Sequence, residues 1–209
     1  MKNIKNIVMI LFVGLLIVSC NEKQTLEKEL NEGQLVLQFG SNARTNQDLN
    51  DYGLKVENAS GEVVLSFEKI SEAPEKISLA VGDYTVKAFS AEEMPYFTFD
   101  APYYYGEKTC TINSGEETVV DIVCALKHVK LMINFDEQIT STAKSYSAVI
   151  QSTHDEITID ASTANTVYAE RSALIISTTI EKQDGTVIKN KQVVSGLETK
   201  SEYTLNISY

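Results

Sequence analysis

The chain has 209 residues, 43% of them hydrophobic, enough for one large domain or two small ones. Its formal charge is -11 at pH 7, and removing residues 1–19, with Lys2 and Lys5, takes that to -13. Only two arginines are present, Arg44 and Arg171, and a surface this acidic, with no basic cluster, excludes a phosphate-tracking nucleic-acid partner.

The first twenty residues carry the clearest signal. Lys2 and Lys5 precede an apolar run, Ile7 to Val18, that is too short to span a membrane and suits a signal-peptide core. The run ends in "IVSC", which resembles a bacterial lipobox. An aliphatic residue stands three before the cysteine and a small one just before it. The chemistry expected there is transfer of a diacylglyceryl group to the Cys20 thiol, cleavage before the cysteine, and acylation of the new amino group, which together hold a protein stably on a membrane. Residues 1–19 thus read as a signal peptide and 20–32 as the acylated cysteine and a charged tether. Cys20 is not followed by aspartate, the best-known inner-membrane retention signal, so the expected location is the outer membrane, lipid-anchored, at the cell surface.

Beyond the tether, apolar residues recur at every second position, the pattern of half-buried strands. Leu35, Leu37 and Phe39 form the first. Tyr52, Leu54 and Val56 face Val63, Leu65 and Phe67 across "NASG", with Val56 expected opposite Val63. Ile77, Leu79 and Val81 lead into Gly82-Asp83, and Tyr84, Val86 and Ala88 lead out, which predicts a tight hairpin. A third hairpin is expected around "NSGEE", joining Thr109–Ile112 to Thr118–Cys124. The pattern restarts at Val129–Phe135. It continues through Ser145–Gln151, Glu156–Asp160, Thr166–Glu170, Ala173–Glu181, Val187–Val194 and Tyr203–Tyr209, with "DGT" marking a turn near Asp184. No segment shows sustained helical periodicity. The predicted fold is all-β: two tandem antiparallel β-sandwiches over 33–125 and 126–209, joined without a Gly/Pro linker.

Catalytic and metal chemistry find little support. His128 and His154 are the only histidines, and neither has a nucleophile motif or a second histidine at ligand spacing. No enzyme activity, cofactor or metal is expected, and His128 is placed at solvent or at the domain interface. Cys110 and Cys124 would lie roughly 14 Å out of step at about 3.4 Å per residue, beyond the ~7 Å that a disulfide spans. Both are therefore expected to be buried free thiols. The acids of "DLND" (Asp48–Asp51) and Asp155-Glu156 read as solvated loops.

Six of the seventeen aromatic rings fall between Tyr96 and Tyr105, in "YFTFDAPYYYGEKTC". Neighbours in an extended chain point to opposite faces, so Tyr103 and Tyr105 share one side and Tyr104 takes the other. The expectation is a stiff structural crossover in which one ring, Tyr104, faces outward. Asp100 and Glu107 nearby would complete a candidate ligand contact.

The succession "GQLVLQF", "LKVENASGEVVLSF", "ISLAVGDYTVKAFS", "FDAPYYYGEKTCTINSGEETVVDIVC" and "LKHVKLMINFD" resembles an uncharacterised family of Bacteroidota lipoproteins with a domain of unknown function. More distantly the layout is similar to the fimbrillins, pilins built as two transthyretin-like β-sandwiches. That resemblance implies a display or adhesion module, or a pilus anchor or accessory subunit, with pilin-like subunits or surface glycans as partners. It also implies, as an alternative, a polymerising pilin cut after Arg44, with Leu35–Phe39 removed and Tyr203–Tyr209 as a candidate donor strand. A glycan-binding lipoprotein is the other alternative.

Overall fold

The computed structural model describes residues 31–41 and 48–208. Cys20 and Arg44, the expected lipid-attachment and cleavage positions, lie outside the described residues.

Strands dominate, as the alternation predicts. In the first half β1 (Glu32–Ser41), β2 (Gly53–Asn58), β3 (Val63–Phe67), β4 (Ile77–Ala80), β5 (Gly82–Phe89), β7 (Tyr104–Ile112) and β8 (Glu117–Leu126) form one sheet in the order β3-β2-β5-β7-β8-β1-β4. Its two ends meet. Leu54 and Val56 of β2 share a buried cluster with Leu35 of β1 and with Ile77 and Leu79 of β4, so the sheet folds over a single core. Most neighbours are antiparallel, but β1 lies parallel to β8 over Gln34–Ser41, a pairing that alternation cannot reveal.

The second half holds two four-stranded sheets around a second core. One has the order β11 (Glu156–Asp160), β10 (Ala143–Gln151), β13 (Leu174–Lys182), β14 (Val187–Val194). The other runs β15 (Glu202–Ile207), β9 (Val129–Phe135), β12 (Thr166–Ala169), β6 (Phe97–Thr98), with β15 parallel to β9. Val129, Leu131, Ile133, Ile150, Val167 and Ile176 meet between them.

Three sequence expectations need correction. Val56 pairs with Leu65, and Val63 with Glu57 past a bulge, so the register sits two residues from the expected one. The cause is Asn58. Its Oδ1 accepts from the amides of Ser60 and Glu62, and its own amide donates to the Glu62 carbonyl, closing the turn early with Gly61 at φ +79°. A shift of two preserves the faces, so Leu54 and Val56 still point inward. Second, β4 and β5 do not pair with each other. β4 joins β1, and β5 lies between β2 and β7. The chain turns a corner between layers at Val81-Gly82, and the Tyr84 hydroxyl donates to the Ala80 carbonyl at 3.0 Å to hold it. Third, a six-residue helix, α1 (Glu137–Thr142), interrupts the strands. Asp136 caps it by accepting from the Ile139 amide at 2.8 Å. With one buried residue, Ile139, it is too short to show a period.

The "DLND" acids have structural work. Asp48 caps a 3-10 turn, Leu49–Asp51, and Asp51 pairs with Lys69 at 2.7 Å.

Candidate functional site

The aromatic run is a strap that links the two cores. After Phe89 the chain leaves the first sheet, adds Phe97–Thr98 to β12, and returns at Tyr104. Ser90 clasps the base of this excursion. Its amide donates to the Tyr104 carbonyl at 3.0 Å, and its Oγ accepts from the Tyr104 amide at 2.9 Å. At the far end the Glu170 amide donates to the Tyr96 carbonyl. The expected boundary at 125–126 is therefore crossed by one earlier segment, whose Phe97 and Phe99 pack on the second core.

The rings are divided by this path. Tyr104 is only 7% exposed and lies 6.3 Å from the Tyr52 ring inside the first core. This corrects the expectation that Tyr104 faces outward. Its parity is set by the strand that it begins: Gly106 and Ile112 of β7 are buried, and Tyr104 is in phase with them. Tyr103 and Tyr105 are the outer rings, both half-buried, with centroids 6.3 Å apart and planes within 18°.

Tyr105 stands in a cross-strand row with Phe89 and Ala125 on the outer face of the first sheet. Lys127 Nζ lies 5.2 Å from the centre of its ring, and its hydroxyl donates to the Glu107 carboxylate. Burial, reinforced by that carboxylate, holds the Tyr105 phenol above its ordinary range. Beside this row Lys87 pairs with both carboxylate oxygens of Glu57 at 2.7 and 2.6 Å, and Lys55 lies 5.0 Å over Phe89 while pairing with Glu92. The result is a ring platform edged by carboxylates and ammonium groups. Of the expected contact residues, Glu107 belongs to it. Asp100 is exposed but makes no hydrogen bond to any of the three tyrosines.

A second constellation went unforeseen. His128, placed by sequence at solvent or at an interface, is fully buried at the two-residue passage between β8 and β9. Its Nδ1 accepts from the Tyr103 amide at 2.9 Å, and its Nε2 donates to the Pro95 carbonyl at 2.8 Å. These partners fix the tautomer, because an amide can only donate and a carbonyl only accept. The rings of Tyr103 and Tyr168 lie 6.4 and 6.3 Å away. Nearby, Tyr96, 44% exposed, stacks on His154 at 4.7 Å, and His154 Nδ1 meets the shielded carboxylate of Glu170 at 2.9 Å.

The sequence family described as "Domain of unknown function (DUF4493)" matches residues 21–209. The chain belongs to that family. No curated protein matches it in sequence. Among solved structures it is similar to a fimbrial assembly protein from Parabacteroides distasonis, at 10% identity and TM-score 0.50, covering 84% of this chain and 90% of that one. It is also similar to a candidate adhesin from Bacteroides ovatus, at 11% identity and TM-score 0.48, covering 84% and 87%. At such identities the first likeness speaks for the fold: an all-β architecture of the fimbrial β-sandwich type.

The remaining reactive groups are quiet ones. Cys110 and Cys124 are free thiols, as expected, but only Cys124 is fully buried and Cys110 is part-buried; burial pushes Cys124 up to about 11 and also raises Cys110. Among the described residues, no group of three His, Cys, Asp or Glu side chains is placed to hold a metal ion.

Proposed function

We propose that this chain is a non-enzymatic display or adhesion module of the outer-membrane surface, lipid-anchored at Cys20 and built as two sandwiches over about 33–125 and 126–209. A role as pilus anchor or accessory subunit fits the same build. The observation that supports it most is the shared fold, since a protein named as a fimbrial assembly protein has this architecture over 90% of its length. The "IVSC" sequence supports the anchor. In the producing cell, Cys20→Ser should move the protein from the membrane to the soluble fraction and abolish uptake of labelled fatty acid. Protease added to intact cells should degrade the wild type. Retained membrane association with label would overturn the anchor, and full protection from protease would overturn surface display. Mass spectrometry should place the mature N-terminus at acylated Cys20. An N-terminus at Thr45 would favour the polymerising-pilin alternative instead, in which loss of β1 opens the first sheet between β8 and β4.

A second reading, glycan binding, has its own observation: the near-parallel rings of Tyr103 and Tyr105 on one outer face, with Glu107 as a hydroxyl acceptor. Aromatic faces of this kind stack on apolar sugar faces. Tyr105→Ala should then abolish glycan-array binding with the fold intact, and binding that survives would remove this reading.

A further inference from the structure

We propose that His128 is a pH-sensitive latch: its neutral imidazole ties both ends of the aromatic strap to the joint between the two cores, and protonation releases the strap.

Three segments converge on this one ring. Pro95 lies just before β6 and Tyr103 just after it, so the two hydrogen bonds of His128 close the strap like a clasp. The backbone of His128 is itself the passage from β8 to β9, and its carbonyl accepts from the Lys200 amide at 3.3 Å, which adds the turn before β15. Both cores and the strap are therefore fastened at one titratable group.

Protonation attacks this arrangement directly. The imidazolium carries a proton on each nitrogen, so Nδ1 becomes a donor facing the donating Tyr103 amide. One bond is lost, and a charge appears in a site shut off from water. The groups facing the ring offer no counter-charge. They are the phenols of Tyr103, just before β7, and of Tyr168 on β12, the Pro95 carbonyl on the strap, and the Tyr103 amide. Along the chain Lys127 sits over Tyr105, Lys130 pairs with Glu202, and on the strap Glu92 pairs with Lys55. Burial accordingly holds the imidazole below its ordinary 6.5, partly offset by the bond to the Pro95 carbonyl. The sign follows. The released state takes up the proton more readily, so the latch is fully closed above 6.5 and weakens as pH falls below it.

Amide hydrogen exchange on the full chain tests this. Protection of the Tyr103 and Glu170 amides, corrected for intrinsic rates, should fall about tenfold between pH 7.5 and 5.5, because a released imidazole with its ordinary 6.5 takes up its proton only over the last unit of that interval. His128→Asn keeps an acceptor near Nδ1, and His128→Gln keeps a donor toward Pro95; neither titrates. Both should flatten the profile, while His154→Asn, which touches Glu170 and Tyr96 but not His128, should leave that of the Tyr103 amide unchanged. A flat wild-type profile would overturn the latch, as would a tenfold change that persists in a folded His128 variant. If neither variant folds, ring-nitrogen NMR of the wild type decides. Proton uptake at His128 in step with the Tyr103 amide supports the latch, and uptake without any change there refutes it.

Discussion

Tyr104→Ala should destabilise the protein by about 3–5 kcal/mol, the range for emptying a large aromatic site in a packed core, whereas Tyr105→Ala should cost about 1–2 kcal/mol, as at a half-buried site on an outer face. The two residues are adjacent and chemically identical, so the contrast isolates position. Tyr104 is 7% exposed, and its backbone is fixed by Ser90 on one side and by pairing with Leu126 on the other. The ring cannot be replaced by a neighbour without moving the strap. Tyr105 stands on the opposite face, with Lys127 above it and Glu107 at its hydroxyl. Its loss opens no cavity, and surface contacts of that kind are worth little in water. Urea unfolding followed by circular dichroism measures both. A Tyr104→Ala protein as stable as the wild type would mean that the ring does not fill the first core.

This contrast was within reach of the sequence. Ile112 ends a strand that must point it inward, and counting back by two reaches Cys110, Lys108, Gly106 and Tyr104, of which only the charged Lys108 is exposed. The aromatic run invites the opposite conclusion because three tyrosines in a row look alike when they are not tied to the strand that follows. His128 carried a similar signal. Inward residues are even-numbered through Val120, Ile122 and Cys124, then odd-numbered from Val129 through Leu131 and Ile133. A change of phase between two strands marks the place where the chain passes from one core to another, and His128 stands in that gap.

What alternation cannot give is the partner of each strand. Ile77, Leu79, Tyr84, Val86 and Ala88 are all buried, as their pattern requires, yet β4 and β5 belong to opposite parts of the sheet. The same inward faces fit a hairpin or a corner, and the choice rests on distant residues: β1 must be present for β4 to pair with it. The parallel pairing of β1 with β8 and of β15 with β9 is equally non-local. Likewise nothing in "YFTFDAP" says that Phe97 and Phe99 serve the other core. That depends on the open edge of β12, built seventy residues later.

Gly33→Val should be strongly damaging, costing about 3 kcal/mol, at the upper end for overpacking a tight site. β1 enters the first sheet against the turn that joins β7 to β8. There the Gly115 amide donates to the Glu32 carbonyl and the Gln34 amide to the Glu116 carbonyl, both at 2.8 Å. A Cβ on Gly33 would lie 2.2 Å from the Asn113 carbonyl oxygen and 2.8 Å from Ile112 Cγ2. The first of these is backbone in a tight turn and cannot swing aside as a side chain would. Relief requires β1 to back away from β8, which weakens a parallel pairing that runs on to Ser41 and withdraws Leu35 from the core. Gly33→Ala should show the same effect more weakly. Gly40→Ala is the matched control: it lies in the same strand, where a Cβ would meet only Val123 Cγ2 at 3.6 Å, an ordinary contact. That variant should stay within about 0.5 kcal/mol of the wild type or gain slightly, because glycine weakens strand interiors. Equal losses at the two glycines would show that β1 is held by its ends alone. A loss confined to Gly33 would show that the close approach of β1 to the β7–β8 turn fixes the first sheet.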